Sequence, residues 1–168
     1  MKKALLISAY PNKEKSLTEQ IINFAFSNVD ALHIVDYDLP FYKGESKLNS
    51  NVAEVFKIME PYDFFIFAFP VYWSNMPAIL KNLLDWSIFW GVKYDFECPC
   101  EPALKDKSAF VVCSSGDKYS DEDQRGIMGL VSRRILELWG VTVTNEIFID
   151  NTYKFDKNRF NEIVGKLK

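Results

Sequence analysis

The sequence predicts an α/β fold: a doubly wound sandwich in which a five-stranded parallel sheet, order 2-1-3-4-5, lies between helices on both faces. Three observations lead there. Five short apolar runs alternate with five stretches of helical periodicity along 168 residues. The third run, "DFFIFAF" (63–69), does not alternate apolar with polar, as expected of a parallel strand buried on both sides. The right-handed crossover rule then leaves few topologies, and five strands favour this order.

The elements follow in chain order. "KALLISAY" (3–10) reads as the first strand, stopped by Pro11. Residues 16–28 carry Leu17, Ile21, Ile22, Phe24 and Ala25 near the helical period, with Ser16 and Glu19 spaced as a capping box. "ALHIVDYD" (31–38) is the second strand, and 39–50 an exposed connection. Val52, Val55, Phe56 and Met59 form one helical face within 51–63, which ends near Pro61. After the third strand, Pro77 opens a helix, where its missing N–H costs nothing. "KSAFVVCSSGD" (107–117) is the fourth strand, and a long helix from about Asp121 to Trp139 starts on acidic residues. "VTVTNEIFI" (141–149) is the fifth strand, and 156–168 a closing helix. No repeat or linker interrupts the series, so one domain is expected over 1–168.

Composition narrows the function classes. The chain is 48% hydrophobic and 26% charged, with net charge −3, which gives no electrostatic case for nucleic acid or an anionic membrane surface. No apolar run has the length of a membrane span, and the short run to Ile7 does not read as a signal peptide, so a cytoplasmic location is expected. Cys98, Cys100 and Cys113 make an odd set with a single histidine, His33, far from them. That argues against a disulfide framework, and Cys98 and Cys100 fit surface loop residues better than a metal or redox pair.

In a doubly wound sheet the ligand sits beyond the carboxyl ends of the strands, where the winding reverses. Three loops should meet there. The first, 8–18, contains Tyr10, Ser16, Leu17 and Thr18 but no glycine, so it is neither a dinucleotide fingerprint nor a P-loop. Its helix start can bind a phosphate through amides and hydroxyls, or it can simply cap the helix. The second loop, "PVYWSNM" (70–76), places Tyr72 and Trp73 where they could line a flat heteroaromatic ligand or pack beneath a neighbouring loop. The third, "SSGDKY" (114–119), offers Gly116 either for close approach to a ligand or for a turn.

"FPVYWSNMPAILKNLLDW" (69–86), with Gly91 and Tyr94 beyond it, resembles the NAD(P)H:quinone oxidoreductase family of flavodoxin-like flavoproteins. Pro70, Trp73, Pro77, Ala78, Leu80, Lys81 and Asp85 match that family's pattern, and the likeness extends over roughly 1–117. It implies a bound flavin with its phosphate at Ser16, Leu17 and Thr18. The ring would lie against Pro70, Val71, Tyr72 and Trp73, with Ser115 and Gly116 on the other side and Tyr10 and Tyr119 nearby. Tyr119 is the one candidate for a catalytic side chain. Tyr10 replaces a histidine common in the family, Ser74 a frequent aromatic, and Asp117 the second of two usual glycines. The expected activity is hydride transfer from NAD(P)H through flavin to a quinone or similar small acceptor. FMN is favoured over FAD, because no extra segment is available to cover an adenosine. The resemblance also implies a homodimer, for which the aromatic-rich segment 85–96 would serve as contact unless it packs within the chain. The alternatives are a flavodoxin-type electron carrier and a regulatory flavoprotein subunit of a potassium efflux system.

Overall fold

The computed structural model describes residues 3–12, 16–26, 29–44, 47–87, 104–154 and 156–167. Strands β1 (Ala4–Ser8), β2 (Asp30–His33), β3 (Phe64–Pro70), β4 (Ser108–Ser114) and β5 (Thr142–Ile149) form one sheet in the order β2-β1-β3-β4-β5, as expected. Every pairing is parallel. Helices α1 (Leu17–Ala25), α2 (Ser50–Met59), α3 (Ala78–Trp86), α4 (Asp121–Val131) and α5 (Lys157–Leu167) cover it.

The third strand shows why its sequence does not alternate. Phe65, Phe67 and Phe69 enter the core shared with α2, α3 and α4, while Ile66 and Ala68 enter the one shared with α1 and α5. All five side chains are at most 1% exposed. Each buried phenylalanine contributes about 2–3 kcal/mol of transfer free energy, enough to hold β3 at the centre of the sheet.

The helices follow the caps their sequences carry. Ser16 caps α1, and its hydroxyl accepts from the amide of Glu19. The Asn49 side chain caps α2, whose buried face is Val52, Val55, Phe56 and Met59, the face read from the sequence. Ser120 caps α4 ahead of Asp121, Glu122 and Asp123. Pro77 stands one place earlier than expected, at the N-cap of α3 with ψ 146°, and its carbonyl accepts from the amides of Leu80 and Lys81.

Two elements differ from expectation. The second strand ends at His33, and Ile34–Asp36 turn into a 3₁₀ segment that buries Ile34. The long helix from Asp121 loses its regular ladder at Ser132, where Ser132–Leu136 form a π turn. Ser132 is buried, and its hydroxyl donates to the Met128 carbonyl and contacts the Glu146 carboxylate. This back-bonding to the preceding turn gives a physical reason for the bulge.

Trp86, within the segment expected at a subunit contact, is 1% exposed and donates its indole N–H to the Pro40 carbonyl. The rest of that segment, with Gly91, Tyr94, Cys98 and Cys100, lies outside the described residues. Cys113 is a buried free thiol in β4, pushed upward in pKa by burial.

Candidate functional site

Parallel strands send all their carboxyl ends to one edge of the sheet, and there the loops after β3, β4 and β5 are laced together. The Val71 amide donates to the Ser114 carbonyl at 2.7 Å, and the Ser115 amide to the Ile149 carbonyl at 2.9 Å. The Thr152 amide returns to the Ser115 carbonyl at 3.0 Å and the Asn151 amide to the Asp117 carbonyl at 3.1 Å. Between the loops lies an open cleft of about 530 Å³.

The β3 loop forms the first wall. Tyr72 and Asn75 exchange backbone hydrogen bonds of 2.9 and 3.0 Å, closing a two-residue turn at Trp73 and Ser74. Both turn residues are left-handed, with φ of 50° and 57°. Such turns ordinarily take Asn-Gly, and a tryptophan there is strained by about 1 kcal/mol. Trp73 is also 100% exposed, so no packing repays that strain. Residues held in this way cluster at ligand sites.

The second wall comes from β4. Ser115 and Gly116 reach the cleft, and Tyr119 stands behind them, its ring 5.5 Å from that of Phe148 and its hydroxyl 3.4 Å from that of Ser74. A short turn after β5 supplies the third wall: Thr152 and Tyr153 line the cleft, and Tyr153 rests directly on Gly116.

Beside the cleft, the start of α1 is closed. Ser16 and Thr18 are buried. Tyr10, only 7% exposed, donates its hydroxyl to Thr18 Oγ1 at 2.7 Å and shares a 2.8 Å hydrogen bond with Ser114 Oγ. Burial pushes its phenol well above the ordinary value. Glu19 completes only half of the capping box. Its amide meets Ser16, but its buried carboxylate turns to the Ser8 hydroxyl, with His33 Nδ1 3.4 Å away.

Of the residues expected at the site, Pro70, Val71, Tyr72, Trp73, Ser115, Gly116 and Tyr119 line the one cleft. Ser16, Leu17, Thr18 and Tyr10 stand together at the neighbouring helix start, joined to the cleft through the Tyr10–Ser114 bond. Tyr10 therefore acts as a strut between two loops. The β5 turn was absent from the sequence expectation. The signal for it was present, because a parallel fifth strand must also end on this edge and "DNTYK" follows it.

The cleft residues fit the flavin that the resemblance implies. Among the described residues, the amides of Trp73, Ser74 and Gly116 take no backbone partner, which leaves donors for the electron-rich edge of a ring. Aromatic side chains line the cleft, and one of them, Tyr153, covers the side-chain-free Gly116. At the neighbouring helix start, the Glu19 amide is taken by the Ser16 hydroxyl and the Gln20 amide by the Ser16 carbonyl.

Comparison with known proteins gives a consistent family. The family described as having a flavodoxin-like fold matches residues 2–167. The chain is 34% identical over 119 residues to the ribosyldihydronicotinamide dehydrogenase (quinone) of Pongo abelii, covering 70% of this chain and 51% of that protein. It spans about half the length of this relative and of its Rattus norvegicus counterpart, 51% in each. Over 195 residues it is 23% identical to the FMN-dependent NADH:quinone oxidoreductase of Haemophilus influenzae, covering 99% of this chain and 100% of that protein. Among solved structures, NAD(P)H:quinone oxidoreductase from Methanothermobacter marburgensis superimposes with a TM-score of 0.74 at 20% identity, covering 99% of this chain and 92% of the other. An FMN-dependent NADH-azoreductase from Bacillus anthracis, in complex with FMN, does so with a TM-score of 0.73 at 14% identity, covering 98% and 97%. At these identities the structural likeness establishes the fold.

Proposed function

The chain belongs to the flavodoxin-like fold family, and from that premise we propose that it is an NAD(P)H-dependent flavoprotein oxidoreductase acting on a quinone or similar small acceptor. The observation that carries the proposal is the Trp73–Ser74 turn: strained, fully exposed at Trp73, and offering unclaimed amides to the cleft. The quinone oxidoreductase names of the relatives support the same reading.

FMN is the proposed cofactor, and the chemistry it supplies when bound is two-electron transfer between a reduced nicotinamide and the acceptor. The protein's own part is positional and electrostatic. Ser16, Leu17 and Thr18 would hold the phosphate by first-turn amides and a hydroxyl. Pro70, Val71, Tyr72 and Trp73 would hold one side of the ring, with Ser115 and Gly116 on the other. The amides of Trp73 and Gly116 would stabilise negative charge at the ring's edge. Tyr119 and Ser74, whose hydroxyls face each other, would border the slot for nicotinamide or acceptor. No side chain is required as a proton relay for the hydride step.

A single flavin-binding domain, a homodimer and a cytoplasmic location complete the proposal. An apolar hollow between α3 and α4, where Leu138 is 63% exposed, supports a contact between copies. The proposed use of NAD(P)H supports the location.

The test is purification, identification of bound flavin, and assay of NADH and NADPH oxidation with quinone, free flavin and azo-dye acceptors. Bound FMN with acceptor-dependent oxidation is the expected result. Flavin without turnover on any acceptor would favour an electron carrier, and copurification with a membrane transporter a regulatory subunit. A colourless protein that takes up neither FMN nor FAD would sink the flavin reading.

A further inference from the structure

We propose that Tyr153 is a further ring-contacting residue of the cleft, the side chain that sets the width of the flavin slot on the Gly116 side. The inference rests on the flavin reading above and extends it to a residue that neither the strand-end motifs nor the resemblance assigned.

The observation is a mismatch between exposure and placement. Tyr153 is 88% exposed, and its hydroxyl has no hydrogen-bond partner among the described residues, which alone would make it an ordinary surface side chain. Yet a Cβ added at Gly116 would lie 2.3 Å from Tyr153 Cε2 and 2.7 Å from Cζ. The missing side chain of Gly116 is thus what lets the phenol ring lie at the cleft wall. The glycine that the sequence offers for close approach of a ligand is already approached by an aromatic ring of the protein itself.

The backbone beneath Tyr153 is fixed. Besides the Thr152 and Asn151 bonds to the β4 loop, the Lys154 amide closes the turn onto the Asn151 carbonyl at 3.0 Å. Asn151 is left-handed, at φ 51°, a conformation asparagine tolerates. Arg159 pairs with Asp150 and reaches the Asn151 carbonyl at 3.5 Å. A rigid turn therefore presents an unpacked aromatic face into the cleft that Trp73 and Tyr119 also line. Aromatic walls arranged in this way favour a flat conjugated ligand, through offset or edge contacts rather than hydrogen bonds. The contact is with the ring system, so it is indifferent to the phosphate.

That indifference supplies the experiment. Binding of FMN and of riboflavin, which shares the ring and lacks the phosphate, is titrated by flavin fluorescence against flavin-free wild type, Tyr153→Ala, Tyr153→Phe and Ser16→Ala, with circular dichroism confirming the fold. Tyr153→Ala should weaken both ligands alike, by about five- to ten-fold. Tyr153→Phe should stay within about twofold of wild type, since the ring and not the hydroxyl makes the contact. Ser16→Ala should weaken FMN and leave riboflavin unchanged. Gly116→Ala should reproduce the Tyr153→Ala loss by evicting the phenol, and should have less effect in a Tyr153→Ala background. Wild-type binding with unchanged riboflavin affinity in Tyr153→Ala overturns the inference and leaves the flavin reading standing. Failure of wild type to bind either flavin overturns that reading, and the role of Tyr153 with it.

Discussion

The two ends of the candidate site are built in opposite ways. At the start of α1, the side chains of Tyr10, Ser16, Thr18 and Glu19 are buried and each polar group is committed to a neighbour. At the cleft, Trp73 and Tyr153 are exposed, two turn residues are strained, and among the described residues three amides take no backbone partner. A closed, satisfied end is rigid before any ligand arrives, and suits a compact anion that must be met by fixed dipoles. An open end with unspent donors and aromatic faces suits a ring that two different partners must reach in turn. Mutation should separate the two, with stability carried at the closed end and ligand binding at the open one.

The largest stability effect is expected at Glu19. Its carboxylate accepts from the buried Ser8 hydroxyl, so Glu19→Ala leaves that donor without a partner and empties a buried site. The cost should be about 2–3 kcal/mol, which lowers Tm by roughly 5–10 °C for a chain of this size. Glu19→Gln, which can still accept from Ser8, should lose markedly less. Equal losses in thermal denaturation of the two variants would show that the carboxylate charge, which glutamine lacks, and not filled volume or a neutral acceptor, matters there.

Trp73 should behave in the reverse sense. Glycine accepts the left-handed conformation without the steric strain that tryptophan bears at φ 50°. Trp73→Gly is therefore expected to raise Tm by roughly 1–3 °C while lowering FMN affinity by about tenfold. Gain in one property and loss in the other would mark Trp73 as held for its ligand. A fall in Tm with unchanged FMN affinity would instead make it a packing residue and break the contrast between the two ends.

How much of this was legible in the sequence depends on whether the signal was local. The sheet order followed from counting runs, and the α2 face from Val52, Val55, Phe56 and Met59, because periodicity is a property of neighbours along the chain. The Ser132 bulge was not legible, since it depends on a hydroxyl meeting Met128 and Glu146 across two elements. The Ser16–Glu19 spacing announced a cap. It could not reveal that the Glu19 carboxylate would leave the cap for Ser8, a residue brought close only when α1 docks on β1. Tyr153 illustrates the same limit at the site. Its residue type carries no motif, and its relation to Gly116 exists only because β4 and β5 pair in register, Ser114 against Ile149.

The smallest effect, and the one that probes the strut between the two ends, is at Tyr10. Its hydroxyl joins Thr18 to Ser114, so Tyr10→Phe should cost about 1 kcal/mol at pH 7. Desolvation by burial, partly offset by the bonds to Ser114 and Thr18, raises the folded-state pKa of the phenol above its unfolded value of about 10. The sign follows from linkage: the unfolded chain releases the proton first, so wild type keeps its full advantage well below pH 10 and loses it as pH climbs through and beyond that value. At pH 11 the loss is about 1.4 kcal/mol, RT times the logarithm of the unfolded state's added deprotonation. Exposed tyrosines titrate alike in both proteins and cancel in the difference. Denaturant unfolding of wild type and Tyr10→Phe across pH 8–11 should therefore show a gap that holds to about pH 9, narrows by about 0.4 kcal/mol at pH 10, and is cancelled or slightly reversed by pH 11. A gap that stays constant to pH 11 would mean that water reaches the phenol in the native state, and the closed end would not be closed.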